Sequence, residues 1–392
     1  MEVENEDIKF DADEWMMESV FRYNRLHMYD LHLPVTASDW INEKNVCLAT
    51  SDEKNHEIWQ VALPDDLLEE EQESCLSKDR DFKLVAGGFC DKKIAAVKCF
   101  ASQQYVAVAH VDTSSVDILK LCSDSSVNVM PKVKTIQNVN CNSEASALSK
   151  MSDTIMAFGS CLNNICIADI ATQTVLHHTQ SKSLSVDERL GGLETLSSNT
   201  LVACGQCSGC LWMLDFRLKE PLKASTPPCT DHCSTSTMDL KWTMTRPLMA
   251  VTPSNDEDCS GSIWRFSSDG TILENCVSEL KNPCFKTCPS TIQKKGKENK
   301  APRSVQVSHD QSPLISISGF GNIIQIYDSG QWKKAEDPDK VEPIFVHDGH
   351  QVCCKQPEVN QVTYHGWHPT KHGLMLSADS EGSLHVFEAS VL

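Results

Sequence analysis

No run of apolar residues in this sequence approaches the ~20 that a membrane-spanning helix requires. Basic charge is scarce as well. Lys and Arg total 35 against 54 Asp and Glu, a net charge of -19. Such a field repels nucleic-acid phosphates and anionic lipid, so neither a membrane nor direct nucleic-acid binding is expected. The opening residues, from Met1 to Asp7, are acidic and lack the basic and apolar stretches of a secretory signal. A reducing compartment is therefore expected, and the 19 cysteines are not a disulfide count. Cys47, Cys99, Cys166 and Cys276 sit in apolar runs and read as buried thiols acting as small hydrophobes. Also missing are a nucleophile elbow, a phosphate-binding glycine loop and paired carboxylates in a recognisable setting. No catalytic residue and no cofactor is expected.

What the chain does contain is repetition. Residues Leu374 to Glu388 read as an apolar run, a polar turn with Gly382, and an alternating run ending in Phe387 and an acid. This is the pattern of two antiparallel strands, the first buried on both faces. Val362 to Trp367 supplies a preceding strand, stopped by Pro369. The same shape recurs at 314–328, 248–266, 201–215 and 155–169, and more weakly at 105–119 and 46–59. One marker position per copy falls at 59, 119, 168, 214, 266, 327 and 387, with gaps of 46 to 61 residues. A four-stranded propeller blade needs about 40–45 residues, and longer gaps are loop insertions. The period-two alternation excludes a helical solenoid, while a pair of β-sandwich domains competes on pattern alone. The reading adopted is all-β, a seven-bladed β-propeller over 28–392 with a short N-terminal helix in an acidic 1–27 segment.

A closed ring needs a device to remove its edge strand. Met28 to Leu33 is strand-like and is expected to pair as the outermost strand of the last blade. Ahead of it, Asp13 to Arg25 has a helical pattern, with Trp15, Val20 and Phe21 apolar, and would sit outside the ring. Polar insertions at 65–81, 122–144, 218–237, 279–302 and 329–340 read as surface loops, with 279–302 disordered.

At these repeats the chain resembles the WD-repeat family, from residue 28 onward. The resemblance is degenerate. No repeat ends in Trp-Asp; Tyr327-Asp328 and Phe387-Glu388 stand nearest, and Gly349-His350 is the one Gly-His dipeptide ahead of a repeat. The usual turn aspartate is matched by Glu381, Gly321 and Ser208, so the His–Asp pairing that pins a regular blade should be mostly missing. His350, Trp367, Ser377, Gly382 and Phe387 are the expected structural residues of the last blade. A closer resemblance, to one group within the family, is carried jointly by residues 80–89, 318–321, 341–350 and 367–369. Glu14-Trp15 followed by Glu18-Ser19 adds to it. That resemblance implies a non-enzymatic scaffold, cytoplasmic with some nuclear pool. It also implies spindle-pole, microtubule and cleavage-furrow association in dividing cells. The implied partners are endonuclease subunits of the Integrator RNA-processing complex and microtubule-associated factors.

Other chemistry is weighed against plainer readings. Cys204, Cys207 and Cys210 have the spacing of a zinc or iron–sulfur turn. They fall on the strand–turn–strand of the fourth repeat, where alternation points Cys204 and Cys207 apart. A metal-binding propeller factor or enzyme centred there is the alternative function. Cys284 and Cys288 read as an exposed pair, Cys353 and Cys354 as incidental, and His365 and His368 as structural. Lys294 to Arg303 is the one basic run, an import signal or a patch for an acidic partner. Within it Lys297-Glu298-Asn299 resembles a KEN degradation box, against the plainer reading of a solvated linker. The acidic run 65–73 reads as a solvated face or a dock for a basic partner.

Overall fold

A computed structural model describes residues 12–31, 33–67, 81–122, 128–138, 147–179, 189–217, 304–308, 314–319, 321–328, 330, 342–352 and 360–392. Between 218 and 303 it describes the backbone of five strands. The motif Lys297-Glu298-Asn299, the basic run, the 279–302 insertion, Cys284, Cys288, Cys353 and Cys354 lie outside the described residues.

The described residues open with helix α1 (Ala12–Arg22), which passes directly into β1 (Tyr23–Asp30). Four strands follow as a first blade: β2 (Val35–Trp40), β3 (Asn45–Ser51), β4 (His56–Ala62) and β5 (Lys83–Phe89). The second blade is β6 (Ile94–Phe100), β7 (Tyr105–His110), β8 (Val116–Lys120) and β9 (Lys132–Ile136). The third is β10 (Ala147–Lys150), β11 (Ile155–Gly159), β12 (Cys166–Asp169) and β13 (Thr174–His178). The fourth is β14 (Leu190–Ser197), β15 (Thr200–Gly205), β16 (Leu211–Asp215) and β17 (Leu222–Ser225). The next is β18 (Leu240–Thr245), β19 (Leu248–Pro253), β20 (Ser262–Phe266) and β21 (Ile272–Val277). Then come β22 (Ser304–Val307), β23 (Leu314–Ser318), β24 (Ile324–Asp328) and β25 (Phe345–His347). The last blade is β26 (Val362–Trp367), β27 (Leu374–Asp379) and β28 (Ser383–Ala389), with β1 as its fourth strand.

The described strands thus form seven four-stranded antiparallel sheets. The first strand of each packs beside the first strand of the next, β2 on β6 and onward to β22 on β26, and β26 returns to β2. That closed circuit is a β-propeller. Every marker position read from the sequence lies on the third strand of a sheet. Tight turns join these strands because short polar side chains satisfy their backbone. Asn42 Oδ1 accepts from the Lys44 and Asn45 amides, both at 2.9 Å.

The closing strand is longer and earlier than expected. Its pairing with β28 runs from Tyr23 opposite Ala389 to Asp30 opposite Ser383. The boundary at residue 28 is therefore corrected to 23, and the helix ends at Arg22 rather than Arg25. Tyr23 decides this. Its ring meets Phe345 and Phe387 edge-on at 5.3 and 5.9 Å, and one more helical residue would carry it away from both.

Among the described side chains, the core lies between neighbouring blades. Val46 and Leu48 of the first blade pack on Leu376 and Val386 of the last. Ala107 and Ile118 pack on Met156 and Phe158, and Ile167 packs on Leu201 and Leu214. A fully buried side chain of this size is worth about 1.5–3 kcal/mol, against about 1 kcal/mol net for a neutral hydrogen bond. Packing therefore carries the ring. Cys47, Cys99 and Cys166 are buried in these clusters.

Candidate interaction site at the ring closure

The segment Phe345 to His350 ends β25 and leads toward the last blade. There the N-terminal helix, the closing strand and the expected blade residues meet. Asp348 faces outward and receives α1. The Trp15 indole Nε1–H donates to its Oδ1 at 2.6 Å, and Arg22 donates to the same oxygen at 3.1 Å. A second Arg22 nitrogen donates to the Val346 carbonyl at 2.6 Å. The guanidinium also lies over the Phe345 ring, 5.6 Å from its centroid.

Behind Asp348 is a buried polar network. Tyr23 Oη lies 2.8 Å from His347 Nδ1, His347 Nε2 lies 3.0 Å from His385 Nδ1, and His385 Nε2 lies 2.8 Å from Ser383 Oγ. With both imidazoles neutral, the proton order can run from either end and leaves every nitrogen satisfied. Burial pushes the His347 and His385 pKa values well below the ordinary histidine value, helped by His350 nearby. Burial first, then the Asp348 charge, raises the Tyr23 pKa, so its hydroxyl keeps its proton.

His350 begins a second network. Its Nδ1 is 3.1 Å from Asp379 Oδ2 and its Nε2 is 2.9 Å from Ser377 Oγ. Asn360 donates to the same carboxylate oxygen at 2.8 Å, and the Ser383 amide donates to Oδ1 at 2.8 Å. Burial alone would raise the Asp379 pKa, yet these hydrogen bonds and His350 outweigh it and hold the carboxyl below its usual value. Expecting Glu381 in the turn-aspartate position was wrong. Asp379 fills it, because the residue that accepts turn amides precedes the turn. A similar pair stands in the second blade, where His110 Nε2 meets Asp117 Oδ2 at 2.9 Å. The two pairs differ in reach: His350 lies ahead of its blade and meets the end of β27, whereas His110 and Asp117 sit on the neighbouring strands β7 and β8.

Two glycines permit the crowding. A Cβ at Gly349 would stand 2.9 Å from His347 Cε1 and 3.2 Å from Trp15 Cζ2. At Gly382, φ is +93° and a Cβ would stand 2.6 Å from the Leu33 carbonyl. Phe387 stacks on His347 at 3.9 Å, and Trp367 packs in the same cluster as Trp15 and Tyr23. Of the residues named for the last blade, Trp367, Ser377, Gly382 and Phe387 lie between the start of β26 and the end of β28, and His350 lies ahead of β26. Sequence reasoning missed Tyr23, His347, Asp348, Asp379 and His385. The signal available was the Phe345 to His350 segment, whose two histidines flank an acid.

His347, His350 and His385 form the single cluster of potential metal ligands among the described residues, each offering an atom within 4.8 Å of the others. The His350 and His385 rings are stacked at 3.9 Å with planes 3° apart, so their in-plane lone pairs do not converge on one point. The ring nitrogens of the three are already engaged: His347 with Tyr23 and His385, His385 also with Ser383, and His350 with Asp379 and Ser377. The arrangement is a structural network. Cys204 is buried within β15, and of the two cysteines between β15 and β16, Cys207 is exposed and Cys210 buried. They are not among the described groups that converge on a metal position. His365 is buried, with its pKa pushed down by burial to about 4. His368 bonds to the Glu43 carbonyl at 2.8 Å. Of the acidic run, 68–73 lies outside the described residues. Leu67 is buried, and its carbonyl accepts from both Arg25 and Lys371 at 2.7 Å.

The outward face of α1 differs from all this. Trp15 and Ser19 are buried, whereas Met16, Met17, Val20 and Phe21 are exposed. Of the three apolar residues named for the helix, Trp15 points to the ring, whereas Val20 and Phe21 face solvent.

No family model matches the chain. It is similar, along nearly its whole length, to curated proteins described as Integrator complex assembly factor WDR73. The one from Danio rerio is 27% identical over 395 residues, covering 96% of each chain. The one from Mus musculus is 26% identical over 402 residues, covering 96% of this chain and 97% of its own. The one from Homo sapiens is 25% identical over 396 residues, with the same coverage. Likeness of this extent is consistent with a member of the WD-repeat protein 73 family.

Proposed function

We propose that this chain, similar from end to end to the WDR73 proteins, is a non-enzymatic scaffold that assists assembly of the Integrator complex. The observation that carries the reading is the extent of the likeness: 96% of this chain aligns with proteins named as Integrator assembly factors. The architecture suits the task. A seven-bladed ring offers two faces and a rim, and the buried histidines at its closure are engaged with one another and with their neighbours. Within Integrator, the endonuclease subunits are the partners we expect.

Spindle-pole, microtubule and cleavage-furrow association is a further part of this reading, in a largely cytoplasmic protein. It would run through other proteins, because a net charge of -19 opposes direct binding to an acidic polymer. Purification of the tagged full-length chain from cells, with quantitative mass spectrometry, tests the proposal. Integrator subunits in stoichiometric yield support it. A folded chain that retrieves none of them rejects it.

A further inference from the structure

Helix α1 is mounted with its apolar side outward. An 11-residue helix is marginal alone in water, and a helix resting on a protein ordinarily turns its apolar stripe inward. Here one apolar side chain, Trp15, is buried against the last blade, and the rest of the attachment is polar: the Trp15 indole N–H and Arg22 on Asp348, and Arg22 on the Val346 carbonyl. Met17, Val20 and Phe21 are left 74%, 73% and 82% exposed, with Met16 at 50%. At 100° per residue these four occupy one continuous side of the helix. The C-terminus extends the patch. Ser390 donates its amide to the Arg22 carbonyl at 2.9 Å and its hydroxyl to the Phe21 carbonyl at 3.0 Å. This holds Val391, 60% exposed, beside the last turn.

The border of the patch is acidic. Asp13 stands at its N-terminal end, and Glu14 and Glu18 run along one side. The one basic residue of the helix, Arg22, is turned to Asp348. Charge therefore selects the occupant. Anionic lipid is repelled, and interfacial membrane helices carry Lys and Arg where this one carries Glu. A second copy would bring its own acidic border and a net charge of -19. The residues ahead of the helix hold Glu2, Glu4, Glu6 and Asp7, the same sign again.

We propose that the outward face of α1, Met17, Val20 and Phe21 with Val391, docks an amphipathic helix of a partner protein whose apolar stripe is bordered by Lys and Arg. This deepens the scaffold reading and rests on it for the partner's membership in an assembly. Apolar contacts would supply the affinity, and the Glu14 and Glu18 border would set orientation and exclude acidic competitors.

The test places a benzophenone amino acid at position 20 of the full-length chain in cells and sequences the crosslinked peptide. The expected product is a segment of another protein with apolar residues at helical spacing and Lys or Arg beside them. Crosslinks to residues 1–11, to a second copy or to lipid, or no crosslink at all, overturn the proposal. In parallel, the double variant Met17→Glu, Phe21→Glu should recover at least tenfold less of that protein at an unchanged melting temperature. Recovery equal to wild type also overturns the proposal. If the crosslinked helix belongs to no Integrator subunit and wild type retrieves none, the Integrator reading fails while the docking face stands. If wild type retrieves Integrator and position 20 gives nothing, the reverse holds.

Discussion

Trp15 donates its indole N–H to Asp348 across 333 positions of sequence, at 2.6 Å. That bond fixes the helix to the ring at the step between the last two blades. Gly349 follows Asp348 in a space closed by three rings: a Cβ there would stand 2.9 Å from His347 and 3.2 Å from both His385 and Trp15.

Asp348→Ala removes the acceptor for both Trp15 and Arg22. A hydrogen bond to a charged group is worth about 1.5–3 kcal/mol, and the partly exposed Arg22 adds little beyond that. A loss of about 2–3 kcal/mol in chemical denaturation is expected, with early protease cleavage in 12–22. Asp348→Asn keeps one acceptor and should lose less.

Gly349→Ala forces a methyl against His347 and Trp15 and should cost about 1–3 kcal/mol, as overpacking does. Gly382→Ala meets backbone rather than a side chain and adds a positive φ, so its loss should exceed that of Gly349→Ala. Melting of the two variants in one buffer checks the order.

Stability should fall in mild acid. His347 and His385 have folded-state pKa values depressed below 6.5 by burial, so the unfolded chain binds more protons as pH drops. The contribution is complete above pH 6.5. It declines below that pH, at up to about 1.4 kcal/mol per pH unit per histidine, until the folded values are reached. His385→Gln should flatten the decline between pH 6.5 and 5. An unchanged slope in that variant would remove the histidine pair as its cause.

Deleting residues 1–22 removes the helix and leaves β1; deleting 1–33 removes both. The first should melt cooperatively at a reduced temperature. The second exposes the edge of β28 and should lose the cooperative transition. Equal melting of the two deletions would show that closure does not depend on β1.

Much of the fold was legible because strand alternation and glycine turns are local. The seven markers fall on third strands, and Gly382 sits at a left-handed turn. The closure was legible in kind but not in extent, because Tyr23 is placed by Phe345 and Phe387, more than 300 positions away. The Glu381 assignment failed for a local reason: the Glu381 and Ser383 amides of the turn donate to Asp379. The histidine network was hidden, since Tyr23, His347 and His385 meet only when the ring closes. The reversed face of α1 was hidden as well, because periodicity does not say which side is attached.

Assembly of Integrator in cells tests the scaffold role most directly. Depleting the chain and fractionating Integrator subunits by size should shift them from assembled to free fractions, and re-expression of wild type should restore them. Subunits that remain fully assembled without the chain would contradict it.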